Sequence, residues 1–87
     1  MKLTRKQVYD LIDGERDYQD KKWQGEEYRD HSIEEWLIYM EDYINEAKHY
    51  FAREPYEIRT PKGQAIMRKI AAMAVCAMES NGAPPRE

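Results

Sequence analysis

One stretch of the chain decides its fold: residues 32–51, SIEEWLIYMEDYINEAKHYF. Its apolar and aromatic residues recur every three or four positions, which places them along one face of an α-helix. Ser32 followed by Glu35 forms a capping box, the signature of a helix start, and Pro55 is incompatible with continuation. The predicted face consists of Trp36, Leu37, Met40, Tyr43, Ile44, Ala47 and Phe51. We therefore predict a helix over residues 32–53.

A second helix is predicted before this stretch, over residues 4–24. Thr4 and Gln7 form another capping box, and Gly14 weakens the helix by about 1 kcal/mol relative to alanine. The pair Gln24-Gly25 is expected to end it. Its apolar stripe consists of Val8, Leu11, Ile12, Tyr18 and Trp23, with Glu15 and Gln19 close to it.

A third helix is predicted after it, over residues 61–80. Thr60 suits the cap and Pro61 the first helical position, because proline lacks the N–H that a first turn leaves unused. Asn81-Gly82 is a strong stop signal. The segments left over are a loop at 54–60 and a C-terminal tail at 81–87.

These elements predict an all-α fold within one domain, residues 1–87. The second and third helices would form a long antiparallel hairpin. Tyr39 and Tyr50 widen the apolar face of the second helix beyond what one neighbouring helix covers. A chain of 87 residues also buries a small core, which association often supplements. We therefore expect a homo-oligomeric helical bundle, a dimer or a tetramer.

Composition excludes several classes of function. The net charge of −3 lacks the basic excess of proteins that bind DNA or RNA through general phosphate attraction. No stretch approaches the roughly 18 apolar residues of a membrane span, and the charged N-terminus lacks the apolar run of a signal peptide. The single Cys76 cannot form an internal disulfide, which is typical of a reducing compartment. We expect a cytoplasmic protein without nucleic-acid or membrane partners.

Two acids of the second helix form an incomplete metal site. Asp42 and Glu46 lie one turn apart, and carboxylates of this kind can hold Mg²⁺ together with water. A helical metal enzyme would supply further acids from a second helix, but the third helix offers Ile66, Lys69 and Met73. The alternative interpretation of Asp42 and Glu46 is a solvated acidic face.

Basic and aromatic residues form a better candidate site, for a nucleotide. Aromatic faces stack on bases, and lysine and arginine hold phosphates. The predicted ligand-binding residues are Arg16, Lys22, Trp23, Arg68, Lys69 and Arg86. The alternative is that the charged residues are solvated and that Trp23 fills the core.

The chain also contains a pattern that resembles a known family. It reads Glu15-Arg16-x-x-Gln19-x-x-Lys22-Trp23, followed by Trp36-Leu37 and Glu46-Ala47, and the stretch from Arg68 to Arg86 is similar to a group of phage proteins. This pattern resembles small phage and prophage relatives of the MazG-like all-α nucleotide pyrophosphohydrolases. MazG-like enzymes are oligomeric and Mg²⁺-dependent, and they bind nucleoside triphosphates between helices and across subunits. Their metal motif is Glu-x-x-Glu on one helix and Glu-x-x-Asp on the next.

The sequence lacks the metal-binding acids of that family at the corresponding positions. With Glu46 as the anchor, the leading acid of the first motif falls on Tyr43, and the second motif falls near Ile66 and Lys69. The resemblance therefore implies a scaffold that has lost hydrolysis and needs no cofactor. It suggests a phage-type protein that sequesters a nucleotide signal resembling a cyclic dinucleotide, in the host cytoplasm. Such a sponge would counter an antiviral defence of the CBASS type.

Two other functions belong to different classes. A Mg²⁺-dependent nucleoside triphosphate pyrophosphohydrolase would keep Glu41, Asp42 and Glu46 as a minimal metal site. A protein-interaction module would use the broad aromatic face of the second helix and bind no small molecule.

Overall fold

The computed structural model describes residues 2–23 and 30–86, except for the side chains of residues 56–59. The regular structure of this part of the chain consists of three helices. They are α1 (Arg5–Lys22), α2 (Ile33–Arg53) and α3 (Tyr56–Asn81). The predicted all-α class is confirmed, and no strand occurs in these residues. None of the helices within them has the length and apolar character needed to cross a membrane.

Both predicted capping boxes form. Thr4 Oγ1 accepts from the backbone N–H of Gln7 at 3.2 Å, and Gln7 Oε1 accepts from the N–H of Thr4 at 2.8 Å. In the same way, Ser32 Oγ accepts from the backbone N–H of Glu35 at 3.2 Å, and Glu35 Oε1 accepts from the N–H of Ser32 at 3.0 Å. Each box satisfies two backbone donors that a helix start leaves without intrahelical partners. The predicted stop of α1 at Gln24-Gly25 lies outside the described residues.

The start of α3 differs from the sequence-based expectation. The helix begins at Tyr56, directly after Pro55, so the expected loop at 54–60 is largely helical and Pro61 lies inside the helix. A proline at this position removes one intrahelical hydrogen bond but leaves the helix downstream of it intact. At the other end Gly82 has a φ of +76° and donates its N–H to the carbonyl of Met78 at 2.8 Å. A left-handed glycine of this kind commonly ends a helix.

α3 packs against both other helices, whereas α1 and α2 make no direct packing contact with each other in the described part of the chain. The buried core lies between α2 and α3 and consists of Trp36, Met73, Cys76 and Ala77, with Met40 and Tyr43 packed against it. Small side chains on α3 let α2 approach closely. The gap left between α1 and α2 is where the candidate site lies.

The contact between α1 and α3 is polar. The buried residues of α1 are Glu15, Arg16 and Gln19, whereas Leu11 of the predicted apolar stripe is 50% exposed. The sequence pattern was therefore misleading for α1: its polar residues face α3. They are buried because α3 offers partners there, charged groups for Glu15 and Arg16 and a backbone carbonyl for Gln19, and these partners offset the cost of removing them from water.

Candidate functional site

A cleft of about 330 Å³ opens between α1 and α2, with α3 as its floor. We call it the α1–α2 cleft. It exists because α3 separates the other two helices and they do not close over it. Its lining consists of Glu15, Tyr18, Gln19, Lys22 and Trp23 from α1 and its end, His31, Trp36, Tyr39, Asp42 and Tyr43 from α2 and the residues before it, and Lys69 and Met73 from α3.

Aromatic side chains form most of the two walls. Trp36, Tyr39 and His31 contact one another edge to face, with ring centroids 5.1–6.3 Å apart. Tyr18 and Trp23, on the opposite wall, are both exposed at the mouth of the cleft. Edge-to-face packing holds these rings in fixed orientations, and although Trp36 is buried, Tyr18, Trp23 and Tyr39 are each at least 40% exposed. The cleft can therefore hold an aromatic ring system.

Two lysines lie among these rings. Lys22 Nζ is 5.9 Å from the ring centroid of Tyr18 and 5.3 Å from that of Trp23. Lys69 Nζ is 5.4 Å from the ring centroid of Tyr43. Neither lysine forms an ion pair with any described residue, and within the described residues the contacts of both ammonium groups are cation–π contacts. Such cations remain available to an anionic ligand.

Acceptor groups line the α1 side of the cleft. Arg68 Nε donates to Glu15 Oε1 at 2.7 Å, and no described residue donates to Glu15 Oε2. Gln19 Nε2 donates to the backbone carbonyl of Lys69 at 3.4 Å, which leaves Gln19 Oε1 without a donor among the described residues. Asp42 supplies a further carboxylate from α2.

The indole nitrogen of Trp36 is a further polar atom beside the cleft. Nε1 is buried and has no hydrogen-bond partner among the described residues. A buried donor without an acceptor costs roughly 1–3 kcal/mol, so few proteins retain one without a reason. Trp36 therefore places, beside the candidate site, a hydrogen-bond donor that has no acceptor among the described residues.

The structure brings together three of the six predicted ligand-binding residues: Lys22, Trp23 and Lys69 line the α1–α2 cleft. Arg16 is buried, and its guanidinium donates to Glu79 at 2.8 Å and to Asp20 at 3.1 Å. A part for Arg16 in binding stays a prediction.

The other two predicted cations lie outside the cleft. Arg68 pairs with Glu15 and borders a second, more open hollow that shares Glu15, Tyr18 and Lys69 with the cleft. Arg86 is exposed in the tail after α3. Their roles in binding also stay predictions.

Comparison with known proteins gives no match. No family model, curated protein or solved structure is significantly similar to this chain. The resemblance to MazG-like proteins therefore depends on the short motifs of the sequence alone.

The positions that correspond to the MazG-like metal motifs hold other groups. Tyr43 and Lys69 contact each other through the cation–π interaction described above, and Ile66 is buried. Asp42 lies on the wall of the cleft, whereas Glu46 is exposed one turn further along α2. Within the described residues no group of three or more His, Cys, Asp or Glu side chains has the geometry to hold a metal ion.

The sequence analysis did not select most of the aromatic and acceptor residues of the cleft. The sequence predicts Tyr18, Tyr39 and Tyr43 as packing residues, and it places Glu15 and Gln19 close to the apolar stripe of the first helix and within the resemblance. One signal was available: Glu15, Gln19 and Lys22 are spaced four and three residues apart, so they share a helix face. A charged face among aromatic residues is typical of a ligand site as well as of a solvated surface.

Proposed function

We propose that this protein binds a nucleotide in the α1–α2 cleft and holds it without hydrolysing it. The observation that carries this proposal is the combination of aromatic walls with two lysines, Lys22 and Lys69, that form no ion pair with described residues. Stacking on an aromatic side chain contributes about 1–3 kcal/mol per base, and lysine attracts phosphate as a point charge. Both requirements of a nucleotide are met in one cleft.

The size of the cleft supports a single nucleotide unit inside it. Ligand pockets usually measure roughly 300–1,000 Å³, and the volume of about 330 Å³ is at the lower end of that range. A larger ligand such as a cyclic dinucleotide would extend beyond one cleft. Its second half would need another cleft, which a second copy of the chain could supply.

Binding without cleavage is supported by the contact between Tyr43 and Lys69. The resemblance to MazG-like enzymes expects metal-binding carboxylates at or near these positions, and here an ammonium group lies over a phenol ring. An ammonium group can neutralise a phosphate directly, as a metal ion would, without activating water for attack. The function that follows is sequestration of a nucleotide signal, and the phage resemblance favours a signal of host antiviral defence.

We also propose that the chain acts as a homo-oligomer in which α2 and α3 form an antiparallel hairpin. Asn81 Nδ2, at the end of α3, donates to the carbonyl of His31 before α2 at 3.0 Å, which supports the antiparallel arrangement. The accessible surface is 7269 Å², against about 5,400 Å² for a folded monomer of this mass. The difference between these two surface areas is larger than the roughly 800 Å² that each partner buries in a standard interface.

Exposed apolar residues supply a surface for such an interface. Leu37 on α2 and Met67 on α3 are 59% and 70% exposed. Ile33, Leu37 and Ile44 share a flank of α2 by their spacing, and Met67 and Met78 share one of α3. Contiguous apolar surface of this kind marks interaction sites in soluble proteins.

Calorimetric titration with ATP, GTP, cyclic di-AMP and cyclic di-GMP tests the binding proposal. We expect saturable binding of at least one of them without turnover. Lys69→Met should weaken it roughly ten- to 150-fold, since hydrogen bonds to charged groups contribute about 1.5–3 kcal/mol. Lys48→Met is the matched control, because Lys48 is an exposed lysine of α2 outside the cleft. Binding unaffected by Lys69→Met, or no binding of any of these ligands, would contradict the proposal, and the latter result would favour a protein-interaction surface.

Incubation with nucleoside triphosphates and Mg²⁺ tests the absence of hydrolysis. Pyrophosphate release that is lost in Glu46→Ala would overturn sequestration in favour of a Mg²⁺-dependent pyrophosphohydrolase. We expect the nucleotide to be recovered intact after prolonged incubation. Ion-exchange chromatography of the incubated mixture distinguishes the two results.

A further inference from the structure

The acceptor groups of the α1–α2 cleft are concentrated on one short segment of α1. Glu15 and Gln19 lie one helical turn apart, and both are buried. Each has one polar group engaged with α3, through Arg68 Nε and through the backbone carbonyl of Lys69. The atoms that remain, Glu15 Oε2 and Gln19 Oε1, are both hydrogen-bond acceptors. This segment of the wall is therefore built to meet a ligand edge that carries donors.

The engaged groups also hold the two side chains in place. The ion pair with Arg68 fixes the Glu15 carboxylate, and the bond to Lys69 fixes the orientation of the Gln19 amide. An acceptor held in advance loses less conformational entropy when a ligand arrives, so its hydrogen bonds discriminate better between ligands. The carboxylate of Glu15 is the stronger acceptor, because charge-assisted hydrogen bonds are stronger than those to a neutral amide oxygen.

The bases differ in the edges that they present to such a wall. The Watson–Crick edge of guanine carries two adjacent donors, the N1–H and the 2-amino group, and one acceptor, O6. Adenine presents a single amino donor beside the N1 acceptor, which a carboxylate repels. Hypoxanthine keeps the N1–H and O6 of guanine but lacks the 2-amino group. Each carboxylate oxygen has two lone pairs, so Oε2 and the remaining lone pair of Oε1 can together accept both guanine donors, whereas either of the other bases offers only one.

We propose that the cleft is selective for a guanine base, and that Glu15 is the residue that recognises it. The inference depends on the proposed function, because it names the ligand class of the same site. In this proposal the Glu15 carboxylate accepts from the two donors of the base, and the base stacks on the aromatic walls. Lys69 Nζ lies over the Tyr43 ring on the α2 side of the cleft, so it remains available to the phosphate of the nucleotide. The ligand class is a guanine nucleotide.

Calorimetric titration of the full chain with GMP, IMP and AMP tests the selectivity without any mutation. A bidentate contact with a base edge contributes about 1–3 kcal/mol of discrimination, so GMP should bind roughly five- to 150-fold more tightly than AMP. IMP should bind with intermediate affinity. Equal affinity for the three, or tighter binding of AMP, would overturn the selectivity while leaving nucleotide binding intact. No binding of any of the three would instead remove both this inference and the proposed function.

Two variants assign the selectivity to Glu15. Glu15→Gln replaces one acceptor of the carboxylate with a donor, so the ratio of AMP to GMP dissociation constants should fall towards one. Glu34→Gln is the matched control, because Glu34 is an exposed carboxylate of α2 outside the cleft, and it should keep a ratio above roughly five. Both dissociation constants of each ratio are measured on the same variant. A general weakening of binding therefore affects both constants equally and leaves the ratio unchanged. Retained selectivity in Glu15→Gln, or its loss in both variants, would overturn direct recognition by Glu15. If circular dichroism shows that Glu15→Gln does not fold, the comparison of GMP with IMP in the unmodified chain still tests recognition of the guanine 2-amino group.

Discussion

At the scale of single residues, two glycines of the chain have opposite roles. Gly14 lies in the middle of α1, and nothing lies within 4 Å of the position that its Cβ would take. Gly82 follows α3 with a φ of +76°, a conformation that residues with a Cβ rarely adopt. Gly14 thus costs helix stability without a local steric reason, whereas Gly82 is required by the backbone.

Gly14→Ala should stabilise the chain by about 0.5–1 kcal/mol, because alanine loses less conformational entropy in a helix. Urea unfolding followed by circular dichroism measures the change. Gly82→Ala is the control and should destabilise, since a Cβ at positive φ is strained. A loss of stability in Gly14→Ala would mean that something covers this face of α1.

The capping residue Glu35 introduces a dependence on pH. Its pKa lies below the ordinary value of 4.5, chiefly because the backbone N–H of Ser32 donates to the carboxylate, with further contributions from the Ser32 hydroxyl and from His31. A group with a lowered pKa stabilises the fold above its unfolded pKa, and this contribution is lost as the pH falls through the folded pKa. The start of α2 should therefore weaken in acid.

Glu35→Gln keeps the capping hydrogen bond but removes the titrating group. We expect the difference in free energy of unfolding between the unmodified chain and this variant to be larger at pH 7 than at pH 3. Urea titrations at several pH values between these limits measure it. Parallel pH profiles for the two proteins would contradict this origin of the acid sensitivity.

At the scale of elements, α1 is held to α3 by charged groups. Arg16 is 4% exposed, and its guanidinium contacts the Glu79 carboxylate through two nitrogens, at 2.8 Å and 3.2 Å. A hydrogen-bonded ion pair of this geometry is formed at one relative position of the two helices. The polar docking of α1 therefore determines the width of the α1–α2 cleft.

Glu79→Gln should destabilise the chain by about 1.5–3 kcal/mol, because a charge-assisted hydrogen bond to a buried arginine is lost. Lys6→Met is the matched control: it breaks the exposed Lys6–Asp10 pair, whose contribution is about 0.3–0.5 kcal/mol. Urea unfolding of both variants gives the comparison. Equal, small losses would show that the Arg16–Glu79 contact behaves as a surface pair.

At the scale of the whole molecule, the described fold is open. Its radius of gyration is 14.3 Å, against about 12 Å for a compact chain of this length. Three helices that meet through only two interfaces leave both an unclosed cleft and exposed apolar flanks. The same openness thus supports a ligand site and an interface between copies.

Light scattering coupled to size-exclusion chromatography should give a dimer or a tetramer. Leu37→Glu should shift the mass towards that of the monomer, because a charge is costly in a buried apolar interface. Asn45→Glu, at an exposed polar position of the same helix, is the control and should leave the mass unchanged. A monomer for the unmodified chain at micromolar concentration would contradict the oligomer.

Local patterns were sufficient to predict the helices but not the neighbours of each helix. The capping boxes at Thr4 and Ser32 depend on residues three positions apart, so the sequence contains all of their determinants. Which face of α1 is buried depends on the side chains of α3 that it meets, and these include Arg68 and Glu79. Long-range ion pairs leave no mark in the local spacing, which is why Glu15 and Arg16 were not predicted to be buried.

The sequence by itself determined that this protein is all-α, that α1 and α2 begin at capping boxes, and that α3 ends at a glycine, whereas the start of α3 was predicted too late. It also indicated lysines and Trp23 as ligand groups. Only the tertiary structure decided which of these meet, because α3 separates α1 from α2 and brings Lys22 and Lys69 to one cleft. Helix formation is a local property of the chain, whereas a cleft is a property of how helices pack.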